Sequence, residues 1–123
     1  MTRVIRLDSV NSTNTYAATV ADTLGHGDVV TTRSQTAGRG QRGNSWEAEP
    51  GRNLTFSLML RPEGVRADEQ FLVSEAVALG VADVLQRHLT AERISVKWPN
   101  DIYAGDRKIC GILIENVVSG KGL

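Results

Sequence analysis

Between Gly38 and Trp46 the chain reads Gly-Arg-Gly-Gln-Arg-Gly-Asn-Ser-Trp, which places three glycines, two arginines and a tryptophan within nine residues. Glycine lets the main chain approach a ligand where a Cβ would collide, so this stretch can bring backbone N–H groups and guanidinium groups onto an anion. Gly38, Gly40 and Gly43 also fit the dinucleotide pattern of glycine, any residue, glycine, two residues, glycine. That pattern requires the last glycine to open a helix facing the pyrophosphate. Here Glu47, Ala48, Glu49 and a Pro50-Gly51 turn follow instead, and then Leu54, Phe56, Leu58 and Leu60 alternate with Thr55, Ser57 and Met59 as in a strand. A P-loop is excluded too, because no Lys-Ser or Lys-Thr pair closes the segment. A surface hairpin loop without a ligand remains the plain alternative.

Further polar groups stand at points where a fold can fix them. Ser12-Thr13-Asn14 precedes a helical pattern and supplies both N-cap chemistry and directional donors and acceptors for a polar ligand. Gln35 lies at the exit of a β-branched run, where its two-sided amide is either solvated or paired with a cyclic urea or amide. Lys97 ends another strand, beside Trp98 and a turn fixed by Pro99, and is either a ligand-binding cation or a solvated surface group.

The elements that must position these groups follow from the pattern. Val4, Ile5 and Leu7 form a short strand. A helix begins near Ser12, with Tyr16, Ala17, Val20, Ala21 and Leu24 on one face and Gly25 as its C′ residue. Asp28–Ser34 forms the strand that delivers the glycine loop, and 53–60 the next one. The longest helix starts near Asp68 or Glu69 and carries Phe71, Leu72, Ala76, Leu79, Val84 and Leu85, with Val81 and Ala82 beside them, as core, and Gly80 hints at close packing against a neighbour. Ile94–Val96 and Ile102-Tyr103 are strands, Ala104-Gly105-Asp106 a turn, and Lys108–Val118 a strand buried on both faces through Ile109, Cys110, Ile112, Leu113 and Ile114. After a Ser119–Gly122 turn no returning strand follows. The expectation is therefore a piece of a longer protein, or a second chain, as in a homodimer, that supplies the missing strand.

With 123 residues the chain fits one domain, and equal counts of 14 basic and 14 acidic side chains give no overall field toward nucleic acid or anionic membrane. Cys110 is the single cysteine, so no intrachain disulfide forms, and His26 and His88 have no metal-ligand spacing. Neither a signal peptide nor a membrane-length apolar run is present, and the chain reads as cytoplasmic.

Five stretches together resemble the catalytic domain of biotin protein ligases. They are Ser12-Thr13-Asn14; Gln35-Thr36-Ala37 with Gly38 to Trp46; Pro50-Gly51-Arg52-Asn53-Leu54; Lys97-Trp98-Pro99-Asn100-Asp101; and Arg107-Lys108 with Gly111 to Glu115. The resemblance implies an α/β fold like that of class II aminoacyl-tRNA synthetases, a mixed sheet with helices on one side, in which 1–123 is the N-terminal part of a catalytic domain. It implies formation of biotinyl-5′-AMP from biotin and MgATP, then transfer to a lysine of a carboxylase carrier domain. Biotin would be bound by Ser12, Thr13, Asn14, Gln35, Gly38, Arg39, Gly40, Gln41 and Lys97. The adenylate would meet Arg39, Arg42, Trp46, Asn53 and Lys97, with Lys97 and Arg39 as the catalytic cations. Gln41 stands where many members of the family carry a second arginine. No helix-turn-helix module, DNA binding or membrane contact is expected. A lipoate or octanoate ligase of the same fold, or a non-catalytic biotin-binding remnant, are the alternatives.

Overall fold

The structure, a computed structural model, describes residues 2–39, 45–46, 51, 53–97 and 100–117. Two compact units divide the chain, Met1–Glu63 and Gly64–Leu123.

In the first unit, β1 (Val4–Val10) leads into α1 (Thr13–Thr19) and then β2 (Val29–Gln35). β1 and β2 pair in parallel from Val4↔Val29 to Val10↔Gln35, which requires a crossover, and α1 is that crossover. β3 (Gly38–Arg39) pairs antiparallel with β4 (Ser45–Trp46), so the ends of the glycine-rich segment form a narrow ribbon. β5 (Thr55–Leu58) runs antiparallel to β2, giving a mixed three-stranded sheet in the order β1-β2-β5. α1 lies on one face of it, where Ala17, Leu24 and Val30 form the buried core and Ile5, Leu7, Tyr16, Val20 and Met59 pack around them.

The helix starts where the sequence places it. Ser12 is the N-cap, with Oγ accepting from the Thr15 N–H at 3.3 Å. It stops earlier than the apolar spacing implies, at Thr19 rather than near Leu24. Thr19 Oγ1 donates back to the Tyr16 carbonyl at 2.7 Å, competing with the helical ladder, and a 3-10 turn at Ala21–Thr23 takes over. Gly25 instead gives its N–H to Asp28 Oδ2 at 2.8 Å.

Asp28 ties this unit together. Its other oxygen accepts the Arg3 N–H at 2.9 Å, and the Arg3 guanidinium stands 3.6 Å away. The backbone N–H of Gly25, then that of Arg3, hold the Asp28 carboxyl below the usual carboxylate range. A depressed folded value means that the stabilisation is fully present above the unfolded pKa, about 3.9, and is lost as pH falls through the folded value. Asp28→Asn is therefore expected to flatten the acid limb of the stability profile below about pH 4 while leaving its shape near neutrality unchanged, as read by urea midpoints across pH.

β5 reverses the usual inside-out assignment. Ser57 pairs with Val30 and faces α1 with only 9% exposure, whereas Phe56 and Leu58 stand on the opposite face at 49% and 48%. The register is set by pairing with β2, and the polar alternate residues of the strand go inward.

In the second unit a 3-10 turn (Ala67–Glu69) opens α2 (Gln70–His88), followed by β6 (Ile94–Lys97), β7 (Asp101–Ala104) and β8 (Arg107–Gly111) as an antiparallel sheet in that order. Gln86 fastens the end of α2 to β6, giving Nε2 to the carbonyls of Leu89 and Glu92 and accepting the Ile94 N–H at 3.1 Å. Gly105 takes φ +59 in the two-residue turn between β7 and β8, a conformation suited to glycine.

Three expectations are corrected here. The inward line of α2 is Val73, Val77, Ala78, Val81, Ala82 and Leu85, of which Val81, Ala82 and Leu85 belong to the expected surface, while Phe71, Leu72, Ala76, Leu79 and Val84 are exposed. Apolar residues all round this helix left its facing side ambiguous by pattern. Gly80 is not a close-packing point among the described residues, since a Cβ there would meet none of their atoms beyond its own helix within 4 Å. The last strand ends at Gly111 and is not buried on both faces, because Ile109 is exposed and Ile112–Ile114 leave the ladder half-buried. The Ser119–Gly122 turn lies outside the described residues. Among the described residues no helix is long and apolar enough to cross a membrane.

Candidate functional site

The first unit gathers polar side chains at the junction of α1, β2 and β5. The Thr13 N–H, left without a helical partner at the start of α1, donates to Gln35 Oε1 at 2.9 Å. Because an N–H needs an acceptor, this bond fixes which way the amide points and leaves Nε2 to donate elsewhere. Among the described residues no acceptor holds that Nε2. Ser57 Oγ lies 2.7 Å from Thr13 Oγ1 and also meets Asn14 Oδ1. Ser12 and Thr13 are buried, at 5% and 4% exposure. The corner thus offers fixed hydrogen-bonding groups in a nearly dry setting, where each is worth more than in water.

Next to it the chain turns into β3. The Thr36 and Ala37 N–H groups donate to the carbonyls of Val10 and Asn11 at 2.9 and 2.7 Å, extending the β1–β2 pairing to the edge of the glycine segment. Gly38 is buried, and the Arg39 guanidinium donates to Thr15 Oγ1 at 2.9 Å. Gly51 takes φ +72, gives its N–H to the Arg33 carbonyl at 2.8 Å and lies so close to the Arg33 guanidinium that a Cβ would come within 3.1 Å of it. That explains glycine after Pro50. Asn53 is exposed just before β5.

The second unit carries a polar sheet face. The pairs Ser95↔Tyr103, Lys97↔Asp101 and Tyr103↔Lys108 put all five side chains on one side of β6-β7-β8, while Val96 and Ile102 face the other way. Lys108 Nζ is 2.9 Å from Asp101 Oδ1, both side chains about one-third exposed, and Lys97 Nζ lies 5.9 Å from the centre of the Tyr103 ring. Ser95, Lys97, Tyr103, Gly105 and Asp106 line a shallow depression there. Lys97 and Lys108 stand on this face with the carboxylate of Asp101, and Asp106 borders the depression. Cys110, on β8, has its thiol pushed up by burial and, secondarily, by Asp101. Asn100 Nδ2 donates to the Ile112 carbonyl, and the Ile112 N–H returns to Asn100 O at 2.8 Å.

Of the residues singled out by sequence, Ser12, Thr13, Asn14, Gln35, Gly38 and Arg39 are brought together in the first unit, and Lys97 stands on the polar face of the second. Gly40, Gln41, Arg42 and the Trp46 side chain lie outside the described residues. Ser57, Asp101, Tyr103 and Lys108 were not singled out as site residues. Ser57 could have been noticed as a small hydroxyl set among strand apolars, and Lys108 as the cation beside a turn that folds it back onto Asp101.

The model of the biotin/lipoate A/B protein ligase family matches residues 7–123. The bifunctional ligase/repressor BirA of Escherichia coli is 41% identical over 109 residues, covering 89% of this chain and 33% of BirA. The biotin–[acetyl-CoA-carboxylase] ligase of Paracoccus denitrificans is 38% identical over 122 residues, covering 95% of this chain and 48% of that protein. Among solved structures, the biotin protein ligase of Aquifex aeolicus in complex with biotin and ATP superposes with a TM-score of 0.76 at 29% identity, covering 97% of this chain and 48% of that one. The chain spans about a third to a half of the length of these relatives. It has their mixed α/β fold, related to that of class II aminoacyl-tRNA synthetases. With its matched motifs running from β1 through β8, the chain belongs to the biotin/lipoate A/B protein ligase family.

Proposed function

We propose that this chain is the substrate-binding part of a biotin protein ligase, which activates biotin with MgATP as biotinyl-5′-AMP and passes it to a lysine of a carboxylase carrier domain in the cytosol. The observation that carries the reading is the Thr13–Gln35 bond, which turns the glutamine amide into an oriented donor. A ureido ring presents one carbonyl between two N–H groups and needs donors and acceptors held in that way. Ser12, Thr13, Asn14 and Gln35 serve that ring. Gly38, Arg39, Gly40 and Gln41 serve the carboxylate arm, and Arg42, Trp46 and Asn53 the adenylate. Arginine suits a carboxylate or phosphate because its planar fork donates two parallel hydrogen bonds.

The second unit supplies Lys97 and Lys108. When the biotin carboxylate attacks the α-phosphorus, negative charge grows on the phosphate oxygens, and fixed ammonium groups stabilise it. Lys108 is held by Asp101, and Lys97 borders the Tyr103 ring. Mg2+ bound with ATP would be held largely by the phosphates and water and would neutralise charge at the leaving pyrophosphate.

Lipoate ligases share the family, so substrate choice is the decisive test. A lipoyl group has no urea for the Gln35 donor to meet. Biotin is expected to support adenylate formation by the full-length protein, and lipoate in tenfold excess is expected not to suppress it. Suppression by lipoate, or adenylation of lipoate in place of biotin, would reverse the assignment.

A further inference from the structure

Ser57 occupies a position that packing alone would give to an apolar side chain. It sits mid-strand in β5, opposite Val30, which is 1% exposed, and faces the Ala17–Leu24–Val30 core. Its hydroxyl adds nothing to the strand ladder. Instead Oγ lies 2.7 Å from Thr13 Oγ1 and in contact with Asn14 Oδ1. A serine hydroxyl has one proton to give, and an amide oxygen can only accept. With the Asn14 amide oxygen facing Ser57, as the structure has it, the single Ser57 proton goes to Asn14, and the contact with Thr13 is satisfied when the Thr13 hydroxyl donates to Ser57 Oγ. The competing acceptor for the Thr13 hydroxyl, Gln35 Oε1, is farther away at 3.5 Å and already takes the Thr13 N–H.

This arrangement fixes a direction. With its proton turned to Ser57, the Thr13 hydroxyl has lone pairs left for an incoming donor, while Gln35, pinned through Oε1, offers an N–H. We propose that Ser57 is a positioning residue for the biotin ring: it sets the Thr13 hydroxyl as an acceptor for a ureido N–H and keeps Asn14 beside it. The proposal rests on the biotin reading. It predicts an effect specific to one substrate, because Ser57 touches groups that meet the urea and none assigned to the nucleotide.

The test is Ser57→Ala in the full-length protein, with biotin and ATP titrated separately by calorimetry. Biotin binding is expected to weaken roughly tenfold with ATP binding unchanged, and Ser57→Thr, which keeps the hydroxyl, to recover most of the loss. Ser57→Cys, similar in volume but a poor donor, should behave like alanine and serves if the alanine variant does not fold. Unaltered biotin affinity in Ser57→Ala, or equal weakening of biotin and ATP, would overturn the role given to Ser57. A wild-type protein that binds ATP but no biotin would overturn the ligase reading itself, and this proposal with it.

Discussion

Removing either ammonium group from the polar face of the second unit, by Lys97→Ala or Lys108→Ala, is expected to slow biotin-dependent exchange of pyrophosphate into ATP by ~10²-fold or more. The magnitude follows from electrostatics. A unit charge about 4 Å from a phosphate oxygen is worth about 4 kcal/mol at an effective dielectric near 20, and part of that is already present in the ground state. The larger loss is expected at Lys108. Its ammonium is 2.9 Å from Asp101, so its removal also leaves that carboxylate without its partner on the face proposed to receive the phosphates. Lys97 has Tyr103 as its ring neighbour at 5.9 Å, and its loss removes positive charge while the Lys108–Asp101 pair stays in place. Neither change should unfold the protein, because a partly exposed ion pair contributes at most about 1 kcal/mol. Thermal melting alongside the exchange assay separates lost chemistry from lost fold. Unchanged exchange in both variants would remove this face from the mechanism.

Gln35→Glu is the second substitution with a large expected effect. A carboxylate keeps an oxygen for the Thr13 N–H, so the bond that anchors α1 to β2 survives. What changes is the other end of the side chain, where a donor becomes a charged acceptor. Facing a ureido carbonyl, that end then repels instead of binding. A site built to donate a hydrogen bond loses about 2–3 kcal/mol when the donor is removed, so biotin affinity should fall by ~10²-fold while ATP affinity stays near wild type. Gln35→Ala is a less specific probe, since it also strands the buried Thr13 N–H and lowers stability. Calorimetry on the glutamate variant checks the first expectation. Biotin binding equal to wild type would place the ring elsewhere.

Much of this geometry was legible from residue types. Ser12 announces the start of α1, the Asp28–Ser34 run its strand to within a residue at each end, and Gly105 its turn, because caps, β-branched runs and tight turns are local signals. Gln35 and Thr13 were both named as ligand-facing groups, but the bond joining them spans 22 residues and follows from the parallel β1–β2 crossover, which no local pattern encodes. Ser57 was hidden for the opposite reason. Its strand alternates so clearly that the leucines and Phe56 invite an inward assignment, yet pairing with β2 turns the serine toward α1. Lys108 falls in a long apolar strand by pattern, and its meeting with Asp101 follows from the β7–β8 register, which shifts between Ile102 and Tyr103 and which no local pattern encodes. In α2 the apolar residues encircle the helix, so periodicity could not select the buried side.

The proposed function requires biotin to be the acid that is activated. It is tested most directly by incubating the full-length protein with MgATP and radiolabelled pyrophosphate and following label into ATP with biotin, lipoate or neither. Label is expected in ATP with biotin and not with lipoate or without an added acid, and at a rate reduced by ~10²-fold in Lys108→Ala. Incorporation supported by lipoate instead of biotin, or by neither acid, would contradict it.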